Sequence, residues 1–239
     1  MRTATIDDAG SLPYVLVQPD GYEPGLAYPL VVLLHGFGAS MHDLVGLAAA
    51  IDSTGYLYAF PNAPYSLDLG GGEAFSWSAG RPDVAPPPAG SATGAPRPFD
   101  DLDPVAALLD AFLAELTAAT GVPPGQVVLG GFSQGGGLAL RYGLPRPATF
   151  AGLAVLSGAF IDADGLRSRL PAERRQPIFV GHGVHDPRIA IERGRETRAF
   201  LEAEGYAPVY REYAMAHAIA AAEVADLTAW LHAALPPKS

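Results

Sequence analysis

Gly130-Gly131-Phe132-Ser133-Gln134-Gly135-Gly136-Gly137 is the stretch on which the reading of this chain turns. Inside it, Gly131-Phe132-Ser133-Gln134-Gly135 matches G-x-S-x-G, the pattern of a nucleophile elbow. The flanks supply the context that the bare pattern lacks. Gln126-Val127-Val128-Leu129 reads as a short apolar strand, and Leu138-Ala139-Leu140-Arg141-Tyr142 as a helix that starts at the serine. A sharp strand-to-helix turn strains the serine backbone and leaves little room beside it, which accounts for glycine at 131 and 135. The helix N-terminus then presents free N–H groups and a positive dipole end beside the hydroxyl.

A serine hydroxyl is a weak nucleophile at neutral pH and needs a base, which in turn needs an orienting acid. In open α/β sheets the reacting groups gather at the carboxyl ends of the strands, so both partners belong on loops that follow strands. The expected chain order is serine, then acid, then histidine. His217, in the loop after the strand at 209–213, is the expected base, with His185 and His182 as competitors. His35 precedes the serine, and His42 and His232 fall on expected helices. Asp186, directly after the penultimate strand, is the expected acid. Asp162 and Asp164 follow the strand before it, and a solvated loop explains them more simply. His182, His185 and Asp186 also have H-x-x-H-D spacing, but a metal reading has no helix to align the imidazoles and leaves Ser133 unexplained. No metal and no cofactor is therefore expected. The oxyanion that forms during attack requires two N–H donors. Gln134 supplies one, and Phe37 in Leu33-Leu34-His35-Gly36-Phe37-Gly38 the other.

The rest of the chain repeats β-α units. The run Leu30-Val31-Val32-Leu33-Leu34 suits a strand buried on both faces, and Tyr14-Val15-Leu16-Val17 is the expected first strand. Helices are expected at 41–51, 104–120, 191–204 and 219–235, and further strands at 56–60, 153–156 and 178–180. This alternation predicts one α/β domain over 1–239, a mostly parallel sheet with helices on both faces. Residues 62–103, rich in Gly and Pro, break the rhythm and read as a lid-like or pocket-wall loop with a mobile excursion around 84–97. Phe37, Phe75, Trp77 and Met215 are the apolar candidates for a substrate pocket, and each has ordinary core packing as its plain alternative.

Composition narrows the function classes. The chain has 239 residues, 49% hydrophobic and 17% charged, enough for a sizeable core. A net charge of −10 argues against nucleic acid and against an anionic membrane surface. The absence of cysteine excludes disulfides, thiolate metal sites and a cysteine nucleophile. Residues 1–8 lack an apolar signal core, so a cytoplasmic enzyme acting on a small molecule is expected, with a homodimer left open.

Four segments carry a resemblance to a known family: Leu34-His35-Gly36-Phe37-Gly38, Gly131-Phe132-Ser133-Gln134-Gly135-Gly136, His182-Gly183-Val184-His185-Asp186-Pro187 and Tyr213-Ala214-Met215-Ala216-His217. In this order they resemble the phospholipase/carboxylesterase family of α/β-hydrolases, which includes acyl-protein thioesterases and small bacterial carboxylesterases. The resemblance implies an α/β-hydrolase fold, a triad of Ser133, Asp186 and His217, and Phe37 and Gln134 as oxyanion donors. It implies a carboxylesterase for short-to-medium acyl esters, with an acyl-protein thioesterase or lysophospholipase as the alternative. A perhydrolase, a haloperoxidase or a non-catalytic binding protein on the same fold is more remote. Two departures stand out: Ala216 replaces the family's usual glycine before the histidine, and residues 70–98 match no family pattern.

Overall fold

A computed structural model describes residues 1–7, 10–70, 72–79, 103–158 and 163–238. The strands are β1 (Arg2–Ile6), β2 (Tyr14–Gln18), β3 (Leu30–Leu34), β4 (Leu57–Pro61), β5 (Tyr65–Leu67), β6 (Ala74–Ser76), β7 (Val127–Phe132), β8 (Gly152–Leu156), β9 (Ile178–Gly183) and β10 (Val209–Tyr213). The helices are α1 (Gly46–Ile51), α2 (Asp103–Thr120), α3 (Gln134–Gly143), α4 (Ala163–Arg167), α5 (Ile191–Ala203) and α6 (Ala221–Ala234).

Eight strands form one sheet in the order β1-β2-β4-β3-β7-β8-β9-β10. Pairing is antiparallel at β1/β2 and β2/β4 and parallel from β4 through β10. Parallel strands need crossovers, and these carry the helices to both faces. Alternate residues of β3 therefore enter different cores. Leu30, Val32 and Leu34 pack with α2 and α3 residues such as Phe112 and Leu140. Val31 and Leu33 pack with α1 and α6 residues such as Ile51 and Leu231. A strand buried on both faces has no polar side, hence its unbroken apolar run.

The expected mostly parallel sheet is present, with corrections at its margins. Tyr14–Gln18 is the second strand, because β1 precedes it on the sheet edge, where four of its five residues are exposed. The helix expected at 41–51 is helical only over Gly46–Ile51; residues 41–45 form turns, and His42 is exposed in them. Residues 62–79, expected as loop, contain the small antiparallel hairpin β5–β6. The expected mobile excursion at 84–97 lies outside the described residues, as does Asp162.

Parallel order brings the ends of β3, β7, β9 and β10 to one edge of the sheet. The loop starting at His35, the turn at Ser133, the loop carrying Asp186 and the loop carrying His217 leave from those ends.

Candidate active site

Ser133 caps the N-terminus of α3 with φ 54° and ψ −117°, a positive φ that a non-glycine residue adopts only under strain. Crowding enforces the turn. A Cβ at Gly131 would lie 2.4 Å from the Gly135 carbonyl carbon, and one at Gly135 would lie 2.2 Å from the Leu34 oxygen. Only glycine at both positions lets the elbow close on itself and on the end of β3.

The serine hydroxyl meets the imidazole of His217, with Oγ 2.9 Å from Nε2. On the other side of the ring, Nδ1–H donates to Asp186 Oδ2 at 2.6 Å. Asp186 Oδ1 accepts the N–H groups of Arg188 and Ile189 at 2.8 and 2.9 Å. Burial alone would push the Asp186 carboxyl up, but the Ile189 N–H, the His217 hydrogen bond and the Arg188 N–H outweigh it and hold it below its ordinary range. The acid therefore stays ionised behind the histidine. His182, fully buried, donates from Nε2 to the Ile189 carbonyl at 2.8 Å and so braces the turn that holds the acid. His185 is exposed, and its backbone N–H bonds Met215 O at 3.0 Å, tying the acid loop to the histidine loop. Among the described residues no three His, Asp or Glu side chains gather into a group that could hold a metal.

The two expected oxyanion donors belong to the segments on either side of the Ser133–Gly36 contact. Gln134 opens α3, and the first helical bond runs from Gly137 N–H to Ser133 O at 3.1 Å, leaving the Gln134 N–H ahead of the ladder. Phe37 follows Gly36, whose added Cβ would sit 3.4 Å from Ser133 Cβ. His35 shapes this loop from within. Its Nδ1–H donates to Gly36 O at 2.7 Å, while Nε2 accepts the Ala63 N–H at 3.1 Å. That pattern requires a neutral ring, and burial accordingly holds its pKa below the ordinary histidine value.

Three of the apolar pocket candidates differ in exposure. Trp77 is fully buried, and its Nε1–H donates to His35 O at 2.9 Å. Among the described residues it is enclosed, and this bond ties it to the loop that carries Phe37. Met215 is likewise buried, its carbonyl engaged by His185. Phe75 is half-buried and forms an isolated bridge with Ala39, so it braces the Phe37 loop. Among the described residues a groove of about 310 Å³ lies beside His217. Leu44, Leu47, Phe132 and Ile219 form its apolar walls, and the exposed Asp43 stands at its rim. The Phe132 ring packs 4.8 Å from the His217 ring. Its position just before the serine was the one sequence signal for this groove. The other walls come from the turns at 41–45, from α1 and from the loop before α6, which only the fold brings together.

A mostly parallel sheet with a strained serine elbow facing histidine and aspartate, in this chain order, defines an α/β-hydrolase. The model of the phospholipase/carboxylesterase family matches residues 25–235, and the chain belongs to that family. It is 30% identical over 209 residues to a probable carboxylesterase of Oryza sativa subsp. japonica, covering 84% of this chain and 76% of that one. It is 32% identical over 124 residues to acyl-protein thioesterase 1 of Gibberella zeae, where the match spans 50% of this chain and 53% of that protein. The crystal structure of SOBER1 from Arabidopsis thaliana superposes with a TM-score of 0.70 at 27% identity, covering 87% of this chain and all of that one.

Proposed function

We propose that this chain is a serine carboxylesterase that hydrolyses short-to-medium acyl esters through an acyl-enzyme intermediate, acting as a single catalytic domain. One observation carries the reading: the unbroken line from Ser133 Oγ through His217 Nε2 and Nδ1 to Asp186 Oδ2. His217 Nε2 takes the hydroxyl proton as Ser133 Oγ attacks the acyl carbon. The carbonyl oxygen becomes an oxyanion, held by the N–H groups of Phe37 and Gln134. Collapse breaks the bond to the alcohol oxygen, which leaves with the proton from His217. Water then enters, gives a proton to His217 and attacks the acyl carbon, and the second collapse returns the proton to Ser133. Asp186 keeps the proton of the neutral ring on Nδ1 and stabilises the imidazolium in both halves of the cycle.

Relatives named as carboxylesterases support the ester class. No described helix is long and apolar enough to cross a membrane, and a net charge of −10 speaks against nucleic acid as a partner. The likeness to a thioesterase over half the chain favours a second reading, an acyl-protein thioesterase using the same residues. Comparing kcat/KM for an aryl acetate or butyrate with that for a long-chain S-acylated peptide separates them. Faster turnover of the small esters supports the esterase; preference for the acylated peptide replaces it with the thioesterase.

A further inference from the structure

The Gln134 side chain has no step in the mechanism above, yet it is buried and fully engaged. Oε1 accepts the Trp77 backbone N–H at 3.0 Å. Nε2 donates to Ser76 Oγ at 3.1 Å and Ser78 Oγ at 3.3 Å. The two serines are linked in turn, Ser76 Oγ–H donating to Ser78 O at 2.8 Å and accepting the Ser78 N–H at 3.1 Å. One amide thus grips three consecutive residues that lie nearly sixty positions away in sequence.

Those residues continue directly from Phe75, which is bonded to the other half of the oxyanion site. The Gly38 N–H donates to Phe75 O at 2.9 Å, and the Phe75 N–H donates to Ala39 O at 2.9 Å. These two bonds fall on the residues immediately after Phe37. Trp77 adds a third tie through its Nε1–H to His35 O, two residues before Phe37. A continuous hydrogen-bonded path therefore runs from the Gln134 amide through residues 75–78 to both sides of the Phe37 loop.

We propose that the Gln134 side chain is a positioning residue that sets the separation of the two oxyanion donors, using residues 75–78 as the strut between the serine elbow and the Phe37 loop. This rests on the serine-esterase reading and adds to it a role for the side chain, distinct from that of its backbone N–H. Two donors aimed at one developing charge must be held in place before reaction, since reorganising them during the step forfeits their effect. A short loop after β3 does not fix that distance alone; a satisfied buried network does. The strut also accounts for why the small β5–β6 hairpin folds against the elbow.

The test compares Gln134→Met, which keeps the side-chain length and removes its hydrogen bonds, with the double variant Ser76→Ala/Ser78→Ala, which loosens the strut and leaves the elbow sequence intact. The readouts are kcat and KM for an aryl acetate, affinity for an arylboronic acid, and a melting curve. The boronic acid forms a tetrahedral adduct on the serine and places a charged oxygen where the oxyanion would sit. In Gln134→Met, kcat is expected to fall about 10- to 100-fold, less than the loss of a donor outright, with KM within about threefold. Boronate affinity is expected to fall in parallel with kcat. The double variant moves in the same direction by a smaller factor, and it decides the matter alone if Gln134→Met does not fold. Unchanged kcat and boronate affinity in a folded variant overturn the proposal while leaving the esterase reading intact. Undiminished turnover in Ser133→Ala, or a wild-type protein indifferent to the boronic acid, overturns both.

Discussion

Replacing Trp77 by alanine separates an anchor from a pocket wall. The indole is fully enclosed, packs 5.2 Å from the His35 ring, and gives its N–H to the His35 carbonyl. Truncation removes a large buried ring and leaves that carbonyl without its partner, a combination worth roughly 3–5 kcal/mol. For a chain of this length each kcal/mol lowers Tm by about 2–4 °C, so a drop of roughly 6–20 °C is expected. If the indole serves only as an anchor, kcat/KM for acetyl, butyryl and octanoyl aryl esters should decline by a common factor. Trp77→Phe retains most of the ring and loses only the N–H, so its cost should be roughly 1–3 kcal/mol. The assay is a melting curve beside an acyl-length profile at a temperature where each variant is folded. A small Tm change with a shifted acyl-length optimum would refute the anchor and return Trp77 to the substrate site.

The remaining expectations concern charge. His217→Ala should lower kcat by a factor on the order of 10³ or more, since the reacting groups act as a unit. Asp186→Asn should be severe but less complete, on the order of 10²–10⁴, because a misoriented imidazole retains some base function. Steady-state kinetics check both, and a neutral outcome at either position contradicts the assignment. Glu223 offers a stability test away from the chemistry. It is fully buried near Gly181, and burial pushes its carboxyl up from 4.5 to about 8. The folded protein therefore keeps a proton that the unfolded chain releases above its ordinary value. The resulting stabilisation is present at pH 4.5 and below and is lost as pH rises to about 8. The shift corresponds to roughly 3–5 kcal/mol across that window. Glu223→Gln should remove this part of the pH dependence and raise Tm most near pH 8. Parallel melting profiles for the two proteins from pH 5 to 9 would contradict it.

The parts of the fold that were readable in the sequence are those with both faces buried. β3, β7 and β9 each begin as an apolar run and lead into a glycine-rich segment, with a histidine as well after β3 and in β9, so the loops carrying Phe37, Ser133 and Asp186 could be placed at one edge without coordinates. His217 followed from its place after the last strand, which required only chain order. β1 was missed because an exposed edge strand has no buried face to impose an apolar pattern. Met41, Leu44, Leu47 and Ile51 have helical spacing, yet residues 41–45 turn, and the Met41 N–H is taken by Asn62 Oδ1 at 3.1 Å, a contact from twenty-one residues away. The same kind of distance hid the groove and the hairpin. Leu47 and Ile219 meet only through the topology, and β5–β6 consists of three-residue strands braced by Gln134 and by Ala39. For Trp77 the sequence left pocket wall and core packing both open, because an aromatic residue in a Gly-rich segment looks the same whether it lines a cavity or pins the segment down; its full burial favours the second.

Whether Ser133 is the nucleophile is decided by covalent labelling. The protein is treated with a serine-reactive aryl phosphonate, digested, and mapped by mass spectrometry, while hydrolysis of an aryl acetate is followed in parallel. One adduct is expected, on the peptide containing Ser133, appearing in step with loss of activity. In Ser133→Ala no adduct is expected, and turnover should be lower by about 10³-fold or more. An adduct on another serine that tracks inactivation, or near-normal turnover in Ser133→Ala, would contradict Ser133 as the nucleophile.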